Sequence, residues 1–163
     1  MAVLIRPYEA RDFAALYRLD QSCFPPGISY TKTGLRYFLG MDSAQCLVAE
    51  DGREIAGFLL AEENCPLAHI ITLDVTESHR RHGIGSALLQ QTEANLAARE
   101  VRAILLETAT SNAAAIAFWQ AHGYRSEAVL KRYYLGRLDA YEMRKTFPAR
   151  SGSGGAGTKF QER

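Results

Sequence analysis

Cysteines are scarce in this chain, and no pair of them has metal-ligand spacing. The three cysteines are Cys23, Cys46 and Cys65. An odd, scattered set is typical of reduced thiols in a cytoplasm, and it predicts neither a disulfide framework nor a cysteine-based metal centre. The four histidines are His69, His79, His82 and His122. Because they form no metal-binding spacing on any predicted element, we expect no metal site.

Strong net charge and long apolar runs are also lacking. The formal net charge is +1 at neutral pH, so no long-range field favours nucleic acid or a membrane surface. No apolar run approaches the roughly 20 residues that span a bilayer. The opening MAVLIRPYEARDF lacks a signal-peptide hydrophobic core of sufficient length. The sequence therefore predicts a cytoplasmic protein without nucleic-acid or membrane partners.

The length and the apolar content predict one globular domain. The chain has 163 residues, of which 47% are hydrophobic, and that is enough to build a sizeable core. We expect this domain to cover residues 1–148. Residues 149–163 are rich in glycine and serine, and we expect them to form a flexible tail without packed structure.

Hydrophobic periodicity and turn residues predict alternating strands and helices. Strands are predicted at 2–6, 44–50, 54–62, 68–75, 101–107, 124–134 and 140–147, and helices at about 13–22, 32–39, 83–99 and 112–122. The strand, helix and strand over 68–107 form a βαβ unit, so those two strands are expected to be parallel. The strands at 44–50 and 54–62 are expected to form one hairpin, and those at 124–134 and 140–147 another. The predicted fold class is α/β (α+β), with a mixed, mostly antiparallel central sheet flanked by helices.

A basic, glycine-containing loop joins the strand at 68–75 to the following helix. Arg80, Arg81 and His82 precede Gly83 and Gly85. The first backbone N–H groups of a helix are unpaired and favour an anion. Glycine lets the backbone approach a bulky ligand, and arginine pairs well with phosphate oxygens. The loop therefore indicates a pyrophosphate site.

Known glycine motifs fit this loop poorly. A P-loop needs Lys and Ser/Thr after its second glycine, whereas Gly85 is followed by Ser86 and Ala87. A dinucleotide fingerprint needs a third glycine at the position of Leu88 and a strand that runs directly into the first glycine. Seven residues, 76–82, intervene here. From the residues alone, a plain glycine turn with a solvated basic loop also remains open.

Two segments carry a resemblance to a known family. The segment RRHGIG, residues 80–85, fits the Q/R-x-x-G-x-G/A signature of the GNAT superfamily of N-acetyltransferases. SNAAAIAFWQAHGYRSE, residues 111–127, resembles the superfamily's second signature, an Asn followed by a helix and a Gly-aromatic pair. Both occur in the right order and spacing between residues 73 and 127. The chain is therefore identified as a member of that superfamily.

Within the superfamily the chain most resembles the ribosomal-protein-alanine N-acetyltransferase group. The resemblance lies in CFPPGIS at 23–29, SNAAAIAFW at 111–119 and KRYYLGRLDAYEM at 131–143. It implies acetyl transfer from acetyl-CoA to a primary amine, with a protein N-terminal α-amine as the favoured acceptor. A small-molecule amine or a lysine as acceptor, and a non-catalytic acyl-CoA-binding module, are the alternatives.

The resemblance also implies where acetyl-CoA binds. The backbone of Leu73, Asp74 and Val75 is expected to pair with the pantetheine arm where the sheet splays, and Asn112 to hydrogen-bond the cofactor. The residues expected to hold the pyrophosphate are Arg80, Arg81, His82, Gly83, Ile84, Gly85 and Ser86.

Glu107 aligns with the proton acceptor of the group and ends an apolar strand. A peptide α-amine has a pKa near about 8, so a carboxylate acting through water can remove its remaining proton. A lysine side chain, near about 10.4, needs far more help. Without the resemblance, a merely solvated strand-end glutamate is the simpler interpretation.

The general acid is the point at which the chain departs from the group. Trp119 occupies the position of the usual tyrosine, and an indole N–H donates hydrogen bonds without titrating usefully. The thiolate leaving group, near about 8.5, can depart without full protonation. Tyr124, Tyr133 and Tyr134 are possible substitutes, and Tyr134 is our candidate acid or substrate contact. Trp119 is otherwise expected in the core.

The acceptor is expected to contact Phe24, Pro25 and Tyr133. Tyr133 and Tyr134 are neighbours in a predicted strand, so we expect them on opposite faces, one packed inward and one lining a peptide groove. A groove open at both the 24–29 loop and the 133–137 hairpin predicts a peptide acceptor. A closed pocket predicts a small amine.

Overall fold

The computed structural model describes residues 3–149, which form one seven-stranded sheet and four α-helices. The strands are β1 (Val3–Pro7), β2 (Ala44–Asp51), β3 (Glu54–Asn64), β4 (Leu67–Val75), β5 (Ala103–Ala109), β6 (Arg125–Tyr134) and β7 (Leu138–Thr146). The helices are α1 (Phe13–Cys23), α2 (Lys32–Leu39), α3 (Ile84–Ala98) and α4 (Ala113–Ala121). Within this described range, no helix is long and apolar enough to cross a membrane. The predicted tail at 149–163 lies almost wholly outside it.

The sheet has the strand order β1-β2-β3-β4-β5-β7-β6. Its first four strands form an antiparallel meander, and β7 lies between β5 and β6 because the last hairpin folds back onto β5. The pair β4 and β5, joined through α3, is parallel. The predicted fold class, a mixed and mostly antiparallel sheet with one parallel βαβ unit, is therefore confirmed.

The β4–β5 pair separates soon after it forms. Its pairing covers only Leu67 with Ala103, Ala68 with Ile104 and His69 with Leu105, although β4 runs on to Val75 and β5 to Ala109. Beyond these pairs the facing edges carry backbone groups without a ladder partner. The expected splay of the sheet is thus present, and it opens at the carboxyl ends of both strands.

Two apolar clusters cover the two faces of the sheet. Helices α3 and α4 contribute the first, with Leu88 and Leu96 fully buried against strand residues. Helices α1 and α2 contribute the second, in which Leu16 and Leu35 are fully buried and pack with Phe58. The splayed edge of β4 therefore lies between two helical layers, and each layer can shape one side of the cleft.

One expectation about the last hairpin is wrong. Tyr133 and Tyr134 do not lie on opposite faces, since their ring centroids are 4.8 Å apart in an edge-to-face contact. The register of β6 shifts between Leu130 and Tyr134, and Arg132 takes a left-handed backbone conformation with φ 55°. An extra residue at a bulge interrupts the side-chain alternation of a strand. Both rings consequently turn toward the same region.

Candidate active site

Glu107 lies on β5 beside the splay and accepts hydrogen bonds from two side chains. The hydroxyl of Tyr133 donates to Oε1 at 3.0 Å, and Nε2 of His69 lies 2.8 Å from Oε1 and 3.0 Å from Oε2. The Glu107 side chain keeps 15% of its surface exposed. Each carboxylate oxygen has two lone pairs, so Oε2 still has acceptor capacity for a ligand.

Strand register explains why these groups meet. His69 pairs with Leu105 across the parallel β4–β5 ladder, and Leu105 and Glu107 are two residues apart, on one face of β5. Glu62 pairs with His69 from β3, and Glu142 pairs with Glu107 from β7. Three glutamates and one histidine therefore form a row across four neighbouring strands.

The charge in this row acts on His69. The hydrogen bond to Glu107 raises the pKa of the imidazole above its ordinary value, partial burial opposes that shift, and Glu62 and Glu142 add to it. A histidine with a raised pKa changes its protonation state close to physiological pH.

Tyrosine hydroxyls also surround Glu107. Burial is the main cause that raises the pKa of Tyr134 to about 12, and the Glu107 carboxylate adds to it. Burial likewise raises the pKa of Tyr30 to about 12, and burial with Glu107 raises the pKa of Tyr133. These hydroxyls stay protonated near neutrality. They can donate hydrogen bonds, but they are weak acids toward a thiolate whose conjugate acid titrates near about 8.5.

A cavity of about 240 Å³ adjoins the Glu107 cluster. Its lining residues are Glu62, Asn64, Leu67, Ala68, His69, Leu105 and Glu107. Two leucines form its apolar part, and the carboxylate of Glu107 lies at one end. The cavity has the composition of a site that binds an organic amine, with apolar walls and an acceptor group.

The loop between α1 and α2 contacts the last hairpin. Phe24 follows α1 and is half-buried, whereas Pro25 is exposed. The backbone N–H of Tyr30 donates to Oδ2 of Asp20 at 2.6 Å, which fixes the end of the loop. Gly27 approaches the last hairpin so closely that a Cβ built on it would overlap Leu135. The loop and the hairpin are therefore in direct contact.

The predicted pyrophosphate loop is a turn with two left-handed residues. Arg81 has φ 65° and Gly83 has φ 80°, and Gly83 is the N-cap of α3. A Cβ built on Gly85 would lie 3.3 Å from the ring of Phe118 on α4, so the start of α3 packs closely against α4. The N–H groups of the first turn of α3 face the loop as an anion site requires.

Side chains inside the loop fix its conformation. Nε2 of His79 lies 2.9 Å from Oδ2 of Asp51, and its Nδ1 lies 2.8 Å from Oγ1 of Thr76. The Arg80 guanidinium donates to the carbonyl of Val75 at 3.1 Å. The loop is thereby tied to the β2–β3 hairpin and to the end of β4.

The other residues predicted to bind the cofactor differ in their hydrogen bonds and in their exposure. Ser86 Oγ lies 2.9 Å from Nε2 of His122, which links α3 to α4. The Oδ1 of Asn112 accepts the N–H of Ala115 at 3.1 Å and so caps α4. The side chain of His82 is exposed. The amide nitrogen of Asn112 is left as a donor for a ligand.

Comparison with known proteins identifies the family. The model of the acetyltransferase (GNAT) family matches residues 13–124. The chain belongs to the GNAT acetyltransferase family. It is 31% identical over 153 residues to an uncharacterized N-acetyltransferase of Methanocaldococcus jannaschii, MJ1530, covering 92% of this chain and 96% of that protein. The chain is thus an N-acetyltransferase of this family.

Two other proteins are similar to this chain in sequence or in fold. The [ribosomal protein bS18]-alanine N-acetyltransferase of Escherichia coli is 29% identical, covering 85% of this chain and 94% of that protein. The crystal structure of the E. coli S18-alanine enzyme has a TM-score of 0.84 at 24% identity, covering 94% and 98% of the two chains. Arabidopsis thaliana NAA60, solved in complex with acetyl-CoA, has a TM-score of 0.79 at 22% identity, covering 90% and 99%.

Trp119, which occupies the usual position of the acid, and Tyr124, one of its suggested substitutes, both lie in the core of this GNAT chain. Trp119 is 7% exposed and packs edge-on against Tyr124, with ring centroids 5.3 Å apart. The Tyr124 hydroxyl donates to Oε2 of Glu93 at 2.8 Å, and burial raises its pKa. The expectation that Trp119 is a core aromatic is therefore confirmed. Tyr124 is bonded to a residue of α3 and not to Glu107.

Sequence reasoning missed His69 as part of the site. On the sequence alone, His69 is only a possible metal ligand, and within residues 3–149 no group of three His, Cys, Asp or Glu side chains could hold a metal ion. The available signal was the βαβ prediction, which makes the two strands parallel neighbours. Only the register, however, places position 69 two residues from Glu107 along the ladder.

Proposed function

We propose that this GNAT protein transfers an acetyl group from acetyl-CoA to the α-amine of a protein N-terminus. The observation that carries the proposal is the placement of Glu107. Its carboxylate stands at the mouth of the splay, beside an apolar cavity on one side and the open β4 edge on the other. A carboxylate at this point can accept a proton from an amine as the amine attacks.

The residues present fit acetyl-CoA. The β4 edge at 70–75 has backbone groups for the amide-like pantetheine arm, since its β5 ladder ends at His69. The N–H groups of Ile84, Gly85 and Ser86, at the first turn of α3, would hold the pyrophosphate together with Arg81 and His82. Arg80 would contribute by fixing the loop, because its guanidinium donates a hydrogen bond to the carbonyl of Val75. Bound there, acetyl-CoA supplies a thioester carbonyl for attack.

The proposed reaction is direct attack in a ternary complex. The amine nitrogen bonds to the acetyl carbon, the carbon–sulfur bond breaks, and the two protons lost by the ammonium group go one to Glu107 and one to the thiolate. The charge of Glu107 contributes to the raised pKa of Tyr134, so the two side chains are close. The Tyr134 hydroxyl is protonated. We place Tyr134 as a hydrogen-bond donor to the reacting groups, and Tyr133 as a donor to Glu107 and an acceptor-side contact.

The preference for an α-amine as acceptor is based on the pKa of the amine and on the shape of the site. A peptide α-amine near about 8 is partly neutral at physiological pH, whereas a lysine near about 10.4 is almost entirely charged. Phe24 and Pro25 lie on the loop that contacts the last hairpin next to Tyr133 and Tyr134, and there they would contact a peptide acceptor. The contact between Gly27 and Leu135 narrows the site, and this observation favours a small-molecule amine as the second candidate acceptor.

A pair of matched peptides tests the proposal. One has a free N-terminal alanine and an acetylated internal lysine, and the other has a blocked N-terminus and a free lysine. With acetyl-CoA present, we expect mass spectrometry to find one acetyl group added to the first peptide only. Acetylation of the blocked twin alone, or of a small diamine in preference to both, contradicts the proposed acceptor. Binding of acetyl-CoA without turnover of any amine contradicts the proposed reaction.

A further inference from the structure

The contact between His69 and Glu107 is a bifurcated polar contact rather than simple packing. One ring nitrogen, Nε2, lies within hydrogen-bond distance of both carboxylate oxygens, at 2.8 and 3.0 Å. The His69 side chain is 40% exposed, and it lines the cavity that adjoins Glu107. The imidazole is therefore bonded to the proposed base on one side and open to water on the other.

Charged and titratable groups face His69 from every neighbouring strand. Glu62 pairs with it from β3, Glu107 bonds to it from β5, and Glu142 stands beyond Glu107 on β7. Tyr133 from β6 bonds to the same carboxylate oxygen. An imidazolium in this row is attracted by three carboxylates, so the ring binds a proton more tightly than a solvated histidine does.

The proposed reaction requires proton transfer between two groups of different pKa, and the His69–Glu107 contact bears on that difference. A solvated glutamate has a pKa near about 4.3, and an α-ammonium group has one near about 8. Transfer of a proton from the ammonium group to the carboxylate is therefore unfavourable by several pKa units. General bases work best when their pKa is near the operating pH. An imidazole coupled to the carboxylate reduces this mismatch.

The geometry points to His69 and Glu107 as a single proton acceptor, in which the proton removed from the amine ends on the imidazole. This inference rests on the proposed function. With Nε2–H of the neutral ring donating to the carboxylate, the free site of the ring is Nδ1. Glu107 takes the proton from the nitrogen, and water passes it from the carboxyl group to Nδ1 of the partly exposed ring. The couple then consists of an imidazolium and a carboxylate, and it returns the proton to solvent after product release. His69 acts through Glu107 and is a positioning residue.

A purely orienting role for His69 is the competing explanation. It requires only that the ring hold the carboxylate in place, which an uncharged hydrogen-bond donor also does. His69→Gln keeps an N–H donor near Glu107 but cannot take up a proton. His69→Leu removes both properties. The two variants therefore separate the orienting role from proton uptake.

The first test is a titration that needs no acceptor. We expect the His69 ring to titrate above about 6.5 in the wild-type protein, followed by NMR and assigned by the signal lost in His69→Gln. Glu107→Gln should lower that value by about one unit, because the main cause of the shift is removed. An unchanged titration in Glu107→Gln overturns the coupling, whatever the protein acetylates.

The second test is the pH profile of kcat at saturating acetyl-CoA and the α-amine peptide described above. The wild-type acid limb should follow the His69 titration, and in His69→Gln it should move toward acid by about one pH unit or more, with kcat at pH 7.5 falling about tenfold. If His69→Gln keeps the wild-type profile while His69→Leu loses activity, the ring only orients Glu107 and the inference is wrong. If the wild-type protein acetylates no α-amine, the proposed function fails, and the NMR titration still decides the coupling.

Discussion

The hydroxyl of Tyr133 donates a hydrogen bond to Oε1 of Glu107 at 3.0 Å, from a bulged strand at the edge of the sheet to a strand in its middle. The same oxygen lies 2.8 Å from Nε2 of His69. Two donors on one oxygen fix the carboxylate and leave the other oxygen for an amine. Tyr133 thus connects the last hairpin, one side of the proposed acceptor site, to the proposed base.

Tyr133→Phe removes this donor and keeps the ring. Hydrogen bonds to charged groups contribute about 1.5–3 kcal/mol, and Tyr133 is half exposed, so we expect kcat/KM to fall by about tenfold rather than more. The unfolding midpoint should change little. The exposed Tyr37 of α2 supplies the control, since Tyr37→Phe removes a hydroxyl remote from the site. Equal kcat/KM values for the Tyr133 variant and the wild type contradict the role.

His79 is expected to act on acetyl-CoA binding rather than on the chemistry. It joins the pyrophosphate loop to Asp51 of β2, at 2.9 Å, and to Thr76 at 2.8 Å. We expect His79→Ala to weaken acetyl-CoA binding about tenfold in calorimetry, while kcat at saturation stays within about twofold, because the loop must be ordered again on binding. Asp51→Asn keeps an oxygen that accepts from the ring and should weaken binding less. A loss confined to kcat contradicts this account.

A pair of buried carboxyl groups on α1 and β4 is expected to make the stability of the fold depend on pH. Asp20 on α1 and Asp74 on β4 are almost fully buried, and one oxygen of each has no partner among the described groups other than the opposite carboxyl. Burial is the main cause that raises the pKa of both carboxyl groups. Such a pair is stable when it holds a proton between the two groups.

The sign of the pH effect follows from the raised pKa. The folded chain binds the proton more tightly than the unfolded chain, so this contribution is complete below the ordinary aspartate value of about 3.9 and is lost as pH rises through the folded value. Asp74→Asn keeps an acceptor for Thr72 and gives Asp20 an N–H donor. We expect the free energy of unfolding of Asp74→Asn to increase relative to that of the wild type as the pH rises from 4 to 8.

Urea unfolding at pH 4, 6 and 8 measures this difference. The control is Asp42→Asn, at an exposed position, which should track the wild type at every pH. A difference between Asp74→Asn and the wild type that is the same at all three values is the contradicting result. It would mean that the pair is ionised to the same extent in the folded and unfolded chains.

Local sequence patterns were sufficient for the elements and the class of the fold. The prolines and Gly27 break the chain after α1, and Gly40 follows α2, because these residues act within a few positions of themselves. The parallel β4–β5 pair also follows from a local rule, the βαβ connection. The insertion of β7 between β5 and β6 is a pairing between distant segments, which no local signal specifies.

The site was predictable where it depends on a continuous motif. The Gly83 loop and the cap at Asn112 are short segments whose conformation is set by their own residues. The cluster around Glu107 depends instead on strand register and on the left-handed Arg132, which turns Tyr133 and Tyr134 the same way. A non-glycine residue in that conformation has no reliable sequence signal.

The measurement that tests the account most directly is acetyl transfer by Glu107→Gln with the cofactor already bound. Glu107→Gln keeps the shape of the side chain and its acceptor oxygen, but it cannot take a proton from an amine. We expect its dissociation constant for acetyl-CoA to equal that of the wild type, and its single-turnover rate with the α-amine peptide to fall by about 100-fold or more, a typical share for a general base. Glu54→Gln, at an exposed position at the start of β3, should transfer at the wild-type rate. A wild-type rate in Glu107→Gln would contradict the central claim that this carboxylate removes the amine proton.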